Sequence, residues 1–386
     1  MRIALYHDLP PGGALRYLVE TTARSALDHD YTLFIDREAQ TDRVELVESV
    51  ADVRHVAHRR VSDRGRIAQL RDLSTTQRRV AASIDAEKFD LVVVHPSQTT
   101  QAPRLLQFLG PTPSVYIAQE ARRRSHERGY LPWVESGGPL VRRARGVARA
   151  PLERQFGAWD RTATMAATGV VANSAFAAKS IVRAYGRQPI VCHPGVDVDA
   201  FAPGLGPRAG LVSVGALDPT KGHDLVVDAL ARIPKPERPA LTIVFERQDP
   251  RFAAQLREMA AATGVDLTLR PNLAEKELAD AYAGAIATVV AARLEPFGLT
   301  VLESLASGTP VIGVREGGFR ETVTPGRTGE LVDRDPVALA NAIRHLPDSN
   351  LTADPHGLRD SLLPYWTWDR TVQDLHRIFD RIAGGR

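Results

Sequence analysis

LEPFGLTVLESLASGTPVIGVREGGFRETV, residues 294–323, is the stretch that decides the reading of this chain. Two glutamates, Glu295 and Glu303, flank a Pro296-Phe297-Gly298 turn. An apolar run at Ala287–Ala291 precedes the turn as a strand, and a helical pattern follows it to a C-cap at Ser307-Gly308. Amides around Gly298, Leu299 and Thr300 would have no partner inside that helix and suit a phosphate oxygen. Gly298, without a side chain, leaves the backbone open to a ligand. Carboxylates repel phosphate but accept hydrogen bonds from hydroxyls. A diphosphate between two polyhydroxylated rings uses all three elements, with Glu295 on one ring and Glu303 on the other. That molecule is a nucleotide sugar. The residues alone leave a plainer reading open, with Glu303 a first-turn carboxylate favoured by the helix dipole and Glu295 a solvated loop residue.

The same strand–turn–helix unit recurs along the chain. Apolar runs at Arg2–His7, Tyr31–Ile35, Leu91–His95, Ser114–Ala118, Val170–Ala172 and Ile190–His193 predict one series of strands. After the Gly/Pro-rich FAPGLGPRAG (201–210), Leu211–Val214, Leu241–Phe245, Leu267–Leu269, Ala287–Ala291 and Pro310–Val314 predict a second. Helical patterns lie between them, such as Asp224–Ile233 with Leu225, Val226, Ala229, Leu230 and Ile233 on one face. Continuous Val/Ile/Leu strands alternating with helices imply parallel sheets covered on both sides. The fold class is α/β, two facing Rossmann-like doubly wound domains. The expected divisions are 1–200, 201–365 and a closing segment 366–386.

Ligands of such sheets sit beyond the carboxyl ends of the strands. The loops there are PPGG (10–13), HPSQTT (95–100), QEARRR (119–124), NS (173–174), ALDPTKGHD (216–224), RLEPFG (293–298) and REGGFRE (315–321). Lys221, before Gly222, is one of only five lysines in an arginine-biased chain. Its ammonium would neutralise charge on a departing diphosphate, although Asp-Pro-Thr-Lys-Gly is also good turn chemistry. Gly12-Gly13 do not complete a G-x-G-x-x-G fingerprint, and a tight turn accounts for them as well as ligand contact does. REGGFRE reads as a turn into a helix or as a wall for the donor sugar. His95, alone at a strand mouth, reads as structural. No HExxH, CxxC, G-x-S-x-G or P-loop occurs, and no metal site is expected.

Composition limits the classes further. At 386 residues, two domains are the natural prior. A single cysteine, Cys192, excludes an internal disulfide framework and fits a reducing cytosol. No apolar run approaches the roughly 18 residues of a membrane span, and MRIALYHDLPPGG reads as a first strand, not a signal peptide. The expected location is therefore cytoplasmic. A net charge of +3 is too small to argue for nucleic acid. Nine arginines against four glutamates crowd residues 120–154, an excess larger than the whole chain's. Solvated helix faces explain this segment; contact with a lipid-phosphate acceptor at the inner membrane face is the sharper alternative.

Taken together, these segments resemble the retaining glycosyltransferases of family four, which have the GT-B fold. EPFGLTVLESLASGTPVI is similar to the family's E-x7-E stretch, and REGGFRETVTPGRTGELV follows it. VANSAFAAKSIVRAYG, VCHPGVDVDAFAP, SVGALDPTKGHDLVVDAL and PPGG match in order, so the resemblance covers nearly the whole chain. YWTWDRTVQDLHRIF resembles the closing helix that crosses back to the first domain. The resemblance implies a nucleotide-diphosphate-sugar donor, retention at the transferred carbon and no essential metal or other cofactor. It places Glu295 with the amides of Phe297, Gly298 and Leu299 on the donor sugar and diphosphate. Glu303 falls on the ribose, Lys221 on the phosphates, Gly12 and Gly13 on the diphosphate from the N-terminal domain. Glu120 is assigned to sugar or acceptor. Two positions depart from the family pattern: Ala216 replaces an arginine, for which Arg293 or Arg315 is the substitute, and Gln119 replaces a histidine. A sugar-nucleotide epimerase, or a sugar-nucleotide-binding protein that has lost turnover, is the alternative; the E-x7-E match speaks against the first, Ala216 and Gln119 for the second.

Overall fold

The computed structural model describes residues 1–10, 12–35, 44–56, 66–97, 100–123, 139–352 and 354–385. Among them, two compact units form: Met1–His193 with Trp368–Arg386, and Pro194–Thr367.

The first unit is built on β1 (Arg2–Asp8), β2 (Asp30–Ile35), β3 (Asp52–His55), β4 (Leu91–Ser97), β5 (Ser114–Ala118), β6 (Gly169–Ala172) and β7 (Ile190–Val191). They lie in the order β3-β2-β1-β4-β5-β6-β7, every adjacent pair parallel. All seven residues of β4 are buried, as a central strand covered on both faces requires. One face of the sheet carries Ala4, Tyr6, Val92, Val94 and Tyr116 into a core with Ile84, Ile181 and Tyr185. Leu5, Val93 and Ile117, on the opposite face, line a small cavity with Tyr17, Leu375 and Phe379. The last two belong to the helix Trp368–Ala383, which buries Trp368, Thr371, Val372, Leu375, Ile378 and Phe379 at amphipathic spacing. Trp368 meets Tyr17 edge-on, ring centroids 6.0 Å apart.

The second unit holds β8 (Leu211–Val214), β9 (Leu241–Phe245), β10 (Leu267–Pro271), β11 (Ala287–Val290), β12 (Val311–Val314) and β13 (Gly329–Val332). Their order is β10-β9-β8-β11-β12-β13, again all parallel. In each unit the chain runs outward from its first strand in one direction and then returns to build in the other. The reversals lie between β1 and β4 and between β8 and β11. Ligands of doubly wound sheets bind at such points, beyond the carboxyl ends.

All eleven stretches read as strands contain one, and the α/β doubly wound class holds for both units. β3 and β13 are the two strands the sequence reading lacks. Both are edge strands; Arg54 and His55 of β3 are exposed, so it shows no apolar run, and β13 opens on a glycine. Among the described residues, no helix is long and apolar enough to cross a membrane.

Candidate functional site

β8 and β11 are neighbours, and the loops leaving their carboxyl ends meet. From Val214 the chain passes to a short 3-10 turn, Pro219–Lys221, capped by the Asp218 carboxylate, which accepts from the Thr220 amide at 2.8 Å. The Arg293 amide, in the loop after β11, donates to the Thr220 carbonyl at 2.8 Å. Gly222 has φ of 70°, and a Cβ there would sit 2.1 Å from the Ala291 carbonyl oxygen. The two loops are therefore locked backbone to backbone. Across this junction Lys221 Nζ donates to Glu295 Oε2 at 2.8 Å. The pair is partly open, with 32% of the lysine and 20% of the glutamate side chain exposed. Glu295 is thus an ion-paired residue, not the solvated loop residue of the plainer reading.

Gly298 caps the helix Leu299–Ala306 with φ of 98°, and no side chain satisfies the first amides. The first amides of a helix have no partner within it, which is what an anion site at Gly298, Leu299 and Thr300 requires. One expectation changes here. A Cβ on Gly298 would lie 2.8 Å from Phe319 Cε1, so the missing side chain admits Phe319 and the left-handed cap, not a ligand. Phe297 is buried with its ring 5.6 Å from Trp366, so its side chain packs inside the second unit.

Glu303 also differs from the sequence reading. Counting from Leu299 it is the fifth helical residue, in the second turn and beyond the dipole's strongest reach. It is only 6% exposed and accepts a 2.8 Å hydrogen bond from the hydroxyl of fully buried Tyr282. Such a buried, partnered carboxylate is a built feature. Tyr282 carries no motif and was not anticipated.

A third layer holds the loop from behind. Gly318 N–H donates to the Glu295 carbonyl at 2.7 Å. Glu316 accepts from both Nε and Nη2 of Arg334, at 2.7 and 3.1 Å, and from the Leu294 amide at 3.4 Å. Burial raises the Glu316 carboxyl, but hydrogen bonds and charge from Arg334, with the Leu294 amide and Arg293, outweigh it and hold the group below its ordinary value. Glu316 and Gly318 therefore back the loop that carries Glu295. Arg315 turns to the Leu331 carbonyl at 2.6 Å, on β13. His223, which opens the next helix, is buried with Nδ1 3.2 Å from Ser213 Oγ; burial pushes it down to about 4.

The structure brings Lys221, Arg293, Glu295, Phe297, Gly298, Leu299, Thr300 and Glu303 into one region of the second unit. Gly12, Gly13 and Glu120 belong to the first. Gly12 is the exposed N-cap of the helix Gly13–Ser25, with φ of 140°. Glu120 pairs with Arg123 at 2.5 Å. Gln119 accepts from Asn173 Nδ2 at 2.8 Å. His95 is buried and pushed down to about 3, by burial and then by His7. Of the arginine-rich segment, residues 124–138 lie outside the described residues, as do Pro11 of the first glycine loop and residues 98–99 of HPSQTT. Arg122 is no solvated surface charge: it donates to fully buried Asp160 at 2.5 Å. Burial raises Asp160 to about 6 against the opposing pull of Arg122.

Residues 196–356 match the family model of the group 1 glycosyl transferases. A D-inositol 3-phosphate glycosyltransferase of Acidothermus cellulolyticus is 31% identical over 311 residues, 70% of this chain and 67% of that protein. The chain belongs to glycosyltransferase family four. The enzyme of the same name from Geodermatophilus obscurus is 32% identical over 65% of this family member and 61% of its own length. Two solved structures carry the fold across the whole glycosyltransferase: sucrose-phosphate synthase from Thermosynechococcus elongatus, TM-score 0.77 at 20% identity over 100% of both chains, and Anabaena HepE in complex with UDP and glucose, TM-score 0.72 at 18% identity over 98% of this chain and 99% of that one.

Proposed function

We propose that this glycosyltransferase moves a sugar from a nucleoside-diphosphate sugar to an acceptor hydroxyl, with retention at the transferred carbon and without a metal. The observation that carries the reading is the 2.8 Å pair of Lys221 and Glu295 at the β8–β11 reversal, three residues before the Gly298 N-cap of a helix. The diphosphate lies on the amides of residues 297–299 beside the Lys221 ammonium. Glu295 accepts from hydroxyls of the donor sugar and Glu303 from the ribose. In the reaction the bond from the sugar's anomeric carbon to the phosphate oxygen breaks, and a bond to the acceptor oxygen forms on the same face. The acceptor proton passes to the leaving diphosphate oxygen. Lys221 and the helix amides stabilise the charge that builds there, and Glu295 orients the sugar without becoming a nucleophile.

HepE's complex with UDP and glucose supports a uridine nucleotide as the first donor to try. Relatives named for D-inositol 3-phosphate make a phosphorylated cyclitol the first acceptor. On the first unit, Glu120 is assigned to the acceptor side, and Gly12 and Gly13 to the diphosphate. Transfer takes place in the cytoplasm, at the inner membrane face where the acceptor is lipid-linked. A thermal-shift panel of nucleotide sugars tests the reading. A ligand at 100 times its Kd adds about 2.7 kcal/mol to folding stability, so the true donor raises Tm and the others do not. A panel in which no nucleotide sugar raises Tm refutes it.

A further inference from the structure

Leu294 has φ of 48°, one of two non-glycine residues with positive φ among the described residues. A bulky residue persists there only when its surroundings hold it. Its position makes the strain relevant, because Leu294 directly precedes Glu295 and any relaxation re-aims that carboxylate. One guanidinium adds to the hold that the Arg293 amide on Thr220 and the Gly318 amide on the Glu295 carbonyl provide. Arg334 Nη2 donates to the carbonyls of Ala291 and Ala292, both at 2.9 Å, the first two residues after β11. The same group grips Glu316 with two nitrogens, and Glu316 in turn accepts from the Leu294 amide. Arg334 thus reaches the loop at two points, directly upstream of the strained residue and through Glu316 at Leu294 itself. Its side chain is only 15% exposed, and its planar fork can reach several acceptors at once, which a lysine cannot.

We propose that Arg334 and Glu316 are positioning residues for sugar transfer, holding the Leu294 turn so that Glu295 stays aimed at Lys221 and the donor sugar. The inference rests on the reading of Glu295 and residues 297–300 as the donor site. Their hydrogen bonds run to each other and to the backbone of residues 291, 292 and 294, not to the amides of residues 297–299, so their effect falls on the transferred sugar. Loss of the clamp therefore lowers kcat more than it weakens nucleoside diphosphate binding, whereas a merely structural role moves both with Tm.

The test compares Arg334→Met, Glu316→Gln and the double variant with the parent. Calorimetry with UDP, GDP, ADP and dTDP gives diphosphate affinity, and turnover of the nucleotide sugar found in the panel gives kcat and KM. Because a misplacement of about 1 Å costs up to about a hundredfold in rate, Arg334→Met is expected to lose roughly ten- to a hundredfold in kcat. Diphosphate affinity stays within about threefold, since the amides that bind it are not the clamp's target. The double variant is no slower than Arg334→Met, because one clamp is broken in both. Parental kcat in Arg334→Met overturns this inference alone, as does a parallel fall in kcat, diphosphate affinity and Tm. A parent that binds none of the four diphosphates overturns the donor-site reading and this inference with it. Where Arg334→Met does not fold, Glu316→Gln carries the same criteria.

Discussion

Replacing Gly317 with alanine perturbs the Glu295 loop without altering any group assigned to the ligand. Gly317 has φ of 59°, and a Cβ there would stand 2.3 Å from the Glu295 carbonyl oxygen and 2.7 Å from its nitrogen. Contacts below 3.0 Å are essentially never made by real Cβ atoms, so relief needs a shift of at least 0.7 Å, the difference between 3.0 and 2.3 Å. Both atoms are backbone and cannot rotate away; the loop itself must move, and Glu295 with it. A displacement approaching 1 Å costs up to about a hundredfold in turnover. The left-handed conformation adds roughly 1–2 kcal/mol of destabilisation for a residue with a Cβ. Gly326→Ala separates the two effects. Gly326 has φ of 74° with nothing within 4 Å of where a Cβ would stand, so it bears the conformational cost and meets no neighbour. Each variant should lose about 2–4 °C in Tm per kcal/mol for a unit of this size. Steady-state turnover with the identified donor then decides: Gly317→Ala falls at least about tenfold and Gly326→Ala stays within about twofold. Equal turnover in the two variants refutes the claim that the loop is positioned from behind.

Lys221→Ala should cut turnover by about a hundredfold or more, the scale of one lost stabiliser of transition-state charge, with Tm nearly unchanged because a partly exposed ion pair is worth about 0–1 kcal/mol; parental kcat removes Lys221 from the site. Glu303→Ala should weaken nucleoside diphosphate binding by about 1–3 kcal/mol, and Tyr282→Phe should weaken it in the same direction by releasing the carboxylate; unchanged calorimetric affinity in both returns Glu303 to a structural role. His223 is held neutral, near 4 against an ordinary 6.5. Between those values the unfolded chain takes up a proton that the folded one refuses, so stability contributed above pH 6.5 is lost as pH falls toward 4. Denaturant titrations across that window should show a shallower pH slope in His223→Asn than in the parent, and identical slopes exclude this histidine as the cause.

Lys221 and Glu295 are 74 residues apart, yet their meeting was legible because it needs only strand order. Each follows a parallel strand, β8 or β11, and these two strands flank the point where the sheet reverses. Any residue in either loop is delivered to the same edge, so a rare lysine and a turn glutamate become neighbours by topology. The inward partners follow no such rule. Tyr282 meets Glu303 from another helix, 21 residues earlier, in a contact set by packing depth and not by spacing. Arg334 is one arginine in a chain that uses arginine almost throughout, and its acceptors at 291, 292 and 316 come from two different strand ends. Leu294 gives no local signal of a left-handed turn, since its φ is imposed by neighbours and not preferred by leucine. The general consequence is that residues meeting a ligand at a sheet edge can be read from strand order, while those that hold them in place become visible only once the strands are packed.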